Sequence, residues 1–248
     1  MKRIAILIGN DGGIRNYLPG VSQDMVNFTE YLKSDFGGAW EDNEIIIGKE
    51  WTTQSLEQEI TFQKESGVEY FLIIFSGHGY AIKGRDTYFE LGDNDDLALS
   101  TLKRLLQFNK SLIITDSCRK YIEILEKAYA RDSLRFYSKA NSPFRQRYRQ
   151  IYDQELQRLE MFHNTVILST DLDECAYDTD EGGLYIKTLI ETARSVERYG
   201  NPGIYSIREI HDTAAEKVAI LKGYKQNPQI DSTSRIMTPP FGVKPILR

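Results

Sequence analysis

Phe71-Leu72-Ile73-Ile74-Phe75-Ser76-Gly77-His78-Gly79 and Leu112-Ile113-Ile114-Thr115-Asp116-Ser117-Cys118-Arg119 each run from an uninterrupted apolar stretch into a short polar turn. Runs this short, rich in Ile and without alternation, read as strands covered on both faces. The first delivers a histidine at its exit and the second a cysteine. Ligands of open α/β sheets bind in the crevice beyond the carboxyl ends of the strands. His78 and Cys118 are therefore expected to face each other across one cleft.

The same pattern extends outward. Ile4 to Ile8, Glu44 to Ile47 and Val166 to Ser169 are further buried-strand runs. Between them lie helical stripes: Val21, Met25, Phe28 and Leu32, then Leu102, Leu105 and Leu106, and later Tyr185, Leu189, Ala193 and Val196, and Ile207, Ile210, Ala214, Val218 and Leu221. Strand and helix in alternation predict an α/β fold: a three-layer sandwich with a mostly parallel sheet of about six strands, right-handed crossovers and helices on both faces. A stretch from about Ala130 to Phe162 interrupts the scheme. Its first half lacks periodicity and carries the turn signal Asn141-Ser142-Pro143, and its second half returns to helix spacing at Tyr148, Tyr152, Leu156 and Leu159.

The 248 residues suit one α/β domain able to bury a sizeable core without staples. Two cysteines, Cys118 and Cys175, argue for free thiols and a reducing compartment. The apolar run after Lys2-Arg3 ends at Ile8, too short for a secretory or membrane-spanning segment, so a cytoplasmic protein without membrane contact is expected. A net charge of −5 speaks against general nucleic-acid binding. The charge is uneven: Arg131 to Arg149 holds six basic residues and one acid, and Leu168 to Gly183 six acids and no base. Gly9-Asn10-Asp11-Gly12-Gly13 matches neither a dinucleotide fingerprint nor a phosphate loop.

A thiolate attacks a carbonyl, whereas a thiol of pKa roughly 8.5 mostly does not. His78 can accept the thiol proton and return it to a leaving amine. Backbone N–H groups of Gly79 and Cys118 are suited to a developing oxyanion. Taken singly, Cys118 reads as a small buried hydrophobe and His78 as a structural histidine. Together, each at a strand exit and with glycine on both sides of the histidine, they read as a catalytic dyad.

A strand ending in Ser76-Gly77-His78-Gly79 followed by one ending in Asp116-Ser117-Cys118 resembles the caspase and metacaspase cysteine peptidases, particularly their bacterial caspase-like members. Ala5 to Asn10 is similar to the family's first strand and loop, and Pro19-Gly20-Val21-Ser22-Gln23-Asp24 to the segment opening its first helix. Glu174-Cys175-Ala176-Tyr177-Asp178, Gly182-Gly183-Leu184, Asn227-Pro228-Gln229-Ile230 and Pro240-Phe241-Gly242-Val243 resemble the family's small-subunit half. The resemblance implies one peptidase domain over residues 1–248: a large-half-like part (1–129), an Arg/Tyr-rich insert or linker (130–162) and a small-half-like part (163–248). It makes Cys118 the nucleophile, His78 the general base and acid, and the Gly79 and Cys118 backbone the oxyanion donors.

Specificity follows from the same comparison. Leu18 stands where aspartate-cutting caspases carry an arginine, and Asp116 where they carry glutamine. Metacaspases resemble the chain at Asp24 and Asp116, which in them line the pocket for the residue before the cut bond. Such a pocket attracts Arg or Lys and repels Asp. Helix capping by Asp24 and backbone bonding by Asp116 are the plainer readings. Asp173, in the acidic run, is expected at the rim and adds to selection of basic substrates. No cofactor is required. Calcium activates some metacaspases, and Asp93, Asp95 and Asp96 offer oxygen ligands, but Ile124 and Leu125 stand near where the family has a further aspartate. The resemblance also implies a regulated effector, as in antiphage defence or programmed cell death, acting on a protein such as a gasdermin-like one. A separately encoded activator or nucleotide signal, a homodimer, and self-cleavage between Arg131 and Arg149 are the corresponding partner and control expectations. The competing reading is a caspase-fold module that binds, or senses a nucleotide, without turnover.

Overall fold

Ile4, Ile6 and Ile8 alternate with Ala5 and Leu7, yet all are at most 4 % exposed, so the first strand is buried on both faces. The structure is a computed structural model describing residues 1–12, 17–48, 51–84, 86–92, 95–121, 143–221, 223, 225–234 and 236–246. Its elements are β1 (Arg3–Asn10), α1 (Pro19–Lys33), β2 (Ile45–Gly48), α2 (Thr53–Glu65), β3 (Tyr70–Gly77), β4 (Gly79–Ala81), β5 (Thr87–Gly92), β6 (Asp95–Ala98), α3 (Leu99–Leu106) and β7 (Lys110–Asp116). There follow α4 (Arg145–Arg158), β8 (Asn164–Leu168), β9 (Asp178–Thr179), β10 (Gly182–Gly183), α5 (Leu184–Tyr199), β11 (Gly203–Ser206), α6 (Ile207–Ala219), β12 (Gln229–Ser232) and β13 (Pro240–Lys244).

The central sheet has six strands in the order β12-β8-β7-β3-β1-β2. All neighbours run parallel except β12, which pairs antiparallel with β8 at one edge. Strand alternation sends Ala5, Leu7, Leu72, Ile74, Leu112 and Ile114 to a core shared with α1, α4, α5 and α6. Ile4, Ile6, Ile8, Phe71, Ile73 and Ile113 enter a second core with α2 and α3. This is the three-layer α/β sandwich that the uninterrupted apolar runs predict. Thr52 caps α2 and Ser206 caps α6 by reciprocal side-chain bonds with Ser55 and Glu209, and Pro19 opens α1. No helix among the described residues is long and apolar enough to cross a membrane.

One feature goes beyond the sequence reading. β4, β5 and β6 form a separate antiparallel sheet beyond the histidine. The second half of the insert is the helix that its spacing predicts, and it is docked on the fold. In α4 the Arg145 guanidinium donates to the Lys33 and Trp40 carbonyls at 2.6 Å each, and Arg149 donates to Ala39 O and pairs with Glu44. These two side chains tie α4 to the end of α1 and the segment after it. Arg131 and Arg135 lie outside the described residues. A buried charge completes this corner. Arg3, 1 % exposed, pairs with Asp153 of α4 at 3.0 Å, donates to Gly38 O at 2.6 Å and stacks 4.3 Å from the Trp40 ring centre.

Candidate active site

β3 and β7 are neighbours whose register pairs Ser76 with Asp116. His78 and Cys118 each follow two residues later, so they leave adjacent strands at one level. Gly77 is needed for this exit: its φ is +153° and a Cβ there would lie 2.4 Å from the Asn10 carbonyl oxygen. Gly79 rests against Ser117, with a would-be Cβ 2.9 Å from its Oγ. Beyond them Ala81 N donates to Lys120 O at 3.0 Å, so the chains after the histidine and after the cysteine run side by side. The two oxyanion donors expected from sequence, Gly79 and Cys118, thus belong to touching segments.

A loop from β8 lies over the cysteine. Arg119 N donates to Glu174 O at 2.9 Å, and Asp173 N to Arg119 O at 3.0 Å. Glu174 is itself fixed by Asn227, whose N and Nδ2 donate to its carboxylate at 2.9 and 2.7 Å. The partly buried Cys118 thiol points at Ala176 O, 3.8 Å away. Burial, and next the adjacent Cys175 thiol, push Cys118 up to about 12. Both effects favour the protonated sulfur.

Three carboxylates meet beside this pair. Asp24, sixth residue of α1 and fully buried, accepts from Ser76 Oγ at 2.6 Å and from Gly183 N at 3.0 Å. It bonds other elements and not its own helix N-terminus, so the capping reading fails. Asp116, ending β7, accepts from Ile186 N at 3.2 Å through Oδ2, and Ser169 lies near enough to favour its ionised form. Asp178, opening β9, accepts from Gly20 N at 3.1 Å and is close enough to His78 for their charges to interact. Burial, with Asp116 next, holds Asp24 well above the usual carboxylate range. Burial likewise raises Asp116 to about 6, and raises Asp178. The N-terminus of α5, which supplies the Gly183 and Ile186 N–H groups, offsets part of this cost.

The backbone of Gly183 lies directly over the pair: a Cβ there would sit 2.4 Å from Asp116 Oδ2 and 3.1 Å from Asp24 Oδ2. Asp173 takes another place. At φ +62° it is exposed, and its carboxylate accepts from Tyr121 N at 3.4 Å, bracing the segment after the cysteine. The third member of the cluster is Asp178, and its sequence signal was membership of the same acidic run. Of the calcium-ligand candidates, Asp95 accepts from Thr53 N and Oγ1 at the start of α2, Asp96 accepts from Tyr80 OH at 2.6 Å, and Asp93 lies outside the described residues. Asp95 and Asp96 thus serve the fold. Among the described residues no group of three or more His, Cys, Asp or Glu is arranged to hold a metal ion.

The sequence pattern of the family described as caspase domain matches residues 2–237. The chain belongs to the caspase domain family. Among solved structures, this caspase-domain protein is similar to caspase-1 from Spodoptera frugiperda, at 14 % identity and a TM-score of 0.66, covering 100 % of this chain and 92 % of that one. It is also similar to protein GSU0716 from Geobacter sulfurreducens, at 15 % identity and a TM-score of 0.57, covering 94 % and 93 %. Likeness at such identities speaks for the shared fold, a caspase-like three-layer sandwich. No curated protein sequence matches the chain.

Proposed function

We propose that this caspase-domain protein is a cysteine endopeptidase that cuts after Arg or Lys. The observation that carries the reading is the meeting of Asp24, Asp116 and Asp178 beside two strand exits that bring out His78 and Cys118 at one level. Three carboxylates forced together under burial are costly until a cation joins them, which a guanidinium or ammonium side chain of the substrate does.

In the proposed cycle His78 takes the Cys118 proton as sulfur bonds to the scissile carbonyl carbon. The Gly79 and Cys118 N–H groups receive the oxyanion. His78 then hands its proton to the leaving amine and a thioester remains. Water, deprotonated by His78, attacks that thioester, and the carboxylate product leaves with the thiol restored. A buried neutral thiol suits this order, in which proton transfer accompanies attack and no thiolate waits in the resting site. Gly182 and Gly183 cover the carboxylates, so a basic side chain reaches them as that short β9–β10 hairpin moves aside. The setting, an antiphage or cell-death effector acting on a gasdermin-like or other protein, is part of the proposal and rests on the family resemblance.

Fluorogenic peptides differing only in Arg, Lys or Asp before the reporter, assayed with and without calcium, test the reading. Turnover of Arg and Lys peptides by wild type and none by Cys118→Ala is expected. Preference for Asp would overturn the pocket assignment. Silence across the panel, with no labelling of Cys118 by an Arg-based acyloxymethyl ketone, would overturn the peptidase.

A further inference from the structure

The chain has two cysteines in 248 residues, and the fold brings them together. They come from segments more than fifty residues apart: Cys118 follows β7, and Cys175 lies in the loop after β8. The loop is pinned in place by the Arg119 N–H to Glu174 O bond at 2.9 Å and the Asp173 N–H to Arg119 O bond at 3.0 Å, within two residues of the thiols. Cys118 Sγ already contacts the carbonyl of Ala176, the residue after Cys175, at 3.8 Å. The Cys175 thiol lies near enough to Cys118 to act on its charge. Both side chains are partly exposed and neither is bonded to the other as the structure stands. A small oxidant therefore has access to two sulfurs held side by side, whereas a disulfide requires only that they close to about 2.05 Å.

We propose that Cys118 and Cys175 form a reversible disulfide under hydrogen peroxide, which switches the site off and shields Cys118 from irreversible oxidation. The Cys118 sulfur attacks one peroxide oxygen; the S–O bond forms, the O–O bond breaks, and the departing hydroxide takes the thiol proton as water. Cys118 is then a sulfenic acid. The Cys175 sulfur attacks it; the S–S bond forms, the S–O bond breaks, and the hydroxyl leaves with the Cys175 proton as a second water. Two thiols and one peroxide give one disulfide and two waters, with two electrons passing from sulfur to peroxide. A dithiol reverses the bond by exchange.

Oxidised protein is alkylated under non-reducing conditions and mapped by mass spectrometry. The expected result is a cross-linked peptide pair containing Cys118 and Cys175, loss of alkylation at both, and turnover that falls with peroxide and returns with dithiothreitol. In Cys175→Ser the same peroxide is expected to carry Cys118 to sulfinic acid, with no recovery on reduction. Sulfinic acid at Cys118 of wild type without the cross-linked peptide, or equal recovery in Cys175→Ser, overturns the proposal. The effect on turnover rests on Cys118 being the nucleophile proposed above. The mapped bond does not, so the peptide map separates failure of the switch from failure of the peptidase reading.

Discussion

Asp116→Asn is expected to lower kcat/KM for Arg peptides by about 100-fold or more and, at pH 7, to raise the melting temperature. Removing one partner of a desolvated charge pair typically costs about 2–5 kcal/mol, which sets the scale of the first effect. The second comes from the same burial. Asp116 titrates at about 6 in the fold against 3.8 ordinarily. Between those values the folded chain keeps a proton that the unfolded chain has lost, so stability from this group falls as pH rises from 4 to 6 and the penalty is fully present at pH 7. Two units correspond to about 3 kcal/mol. Asparagine does not titrate and can still accept from Ile186 N. Its advantage should reach several degrees at pH 7 and vanish near pH 4. His211 runs the other way: burial pushes it down to about 4, so acid favours the unfolded chain over an overlapping range. The readout is therefore the difference between variant and wild type, by thermal melts from pH 4 to 7.5, and not the wild-type profile. A variant that melts lower than wild type at pH 7 would mean that Asp116 is held ionised by partners that asparagine cannot replace.

That expected opposition between activity and stability follows from the proposed cation pocket, and part of the carboxylate cluster was legible in the chain. The runs ending at Phe75 and Ile114 announce strands buried on both faces, and because both are parallel members of one sheet their exits share a level. Asp116 is tied to that exit by sequence alone. The choice between Asp173 and Asp178 was not legible, because both sit in one acidic run and only the short hairpin from Asp178 to Gly183 decides which carboxylate turns toward Asp24. The meeting of Cys175 with Cys118 depends on a loop fixed by Glu174 and Asn227, a long-range contact that leaves no periodicity. The sheet of β4, β5 and β6 escaped for a related reason. Its strands are only three, six and four residues long, too short for alternation to mark them.

Arg3 is the largest surprise of the fold, and Arg3→Ala is expected to destabilise the protein by about 3–5 kcal/mol, the range for breaking a buried ion pair by removing one partner. The alanine takes away one of the two cations, Arg3 and Arg149, that Asp153 and Glu44 share, frees the Gly38 carbonyl, and removes the guanidinium stacked between the Trp40 and Tyr152 rings. Arg3→Lys is expected to recover little of the loss, since one ammonium cannot reach Gly38 O and Asp153 while lying flat on an indole. Urea unfolding of the two variants against wild type measures both; a cost under about 1 kcal/mol for Arg3→Ala would show that the helix is held by its apolar contacts alone. The position of the network gives the result a functional edge. It ties α4, which follows residues 122–142, to β1, and β7 pairs with β8 across the same gap. A cut within 122–142 therefore leaves two pieces joined by the sheet and by Arg3, and the cleaved protein should elute as one species from a sizing column. In Arg3→Ala the helix loses one of its ionic holds while Arg145 and Arg149 remain, and partial separation of the cleaved pieces at low urea is the expected sign.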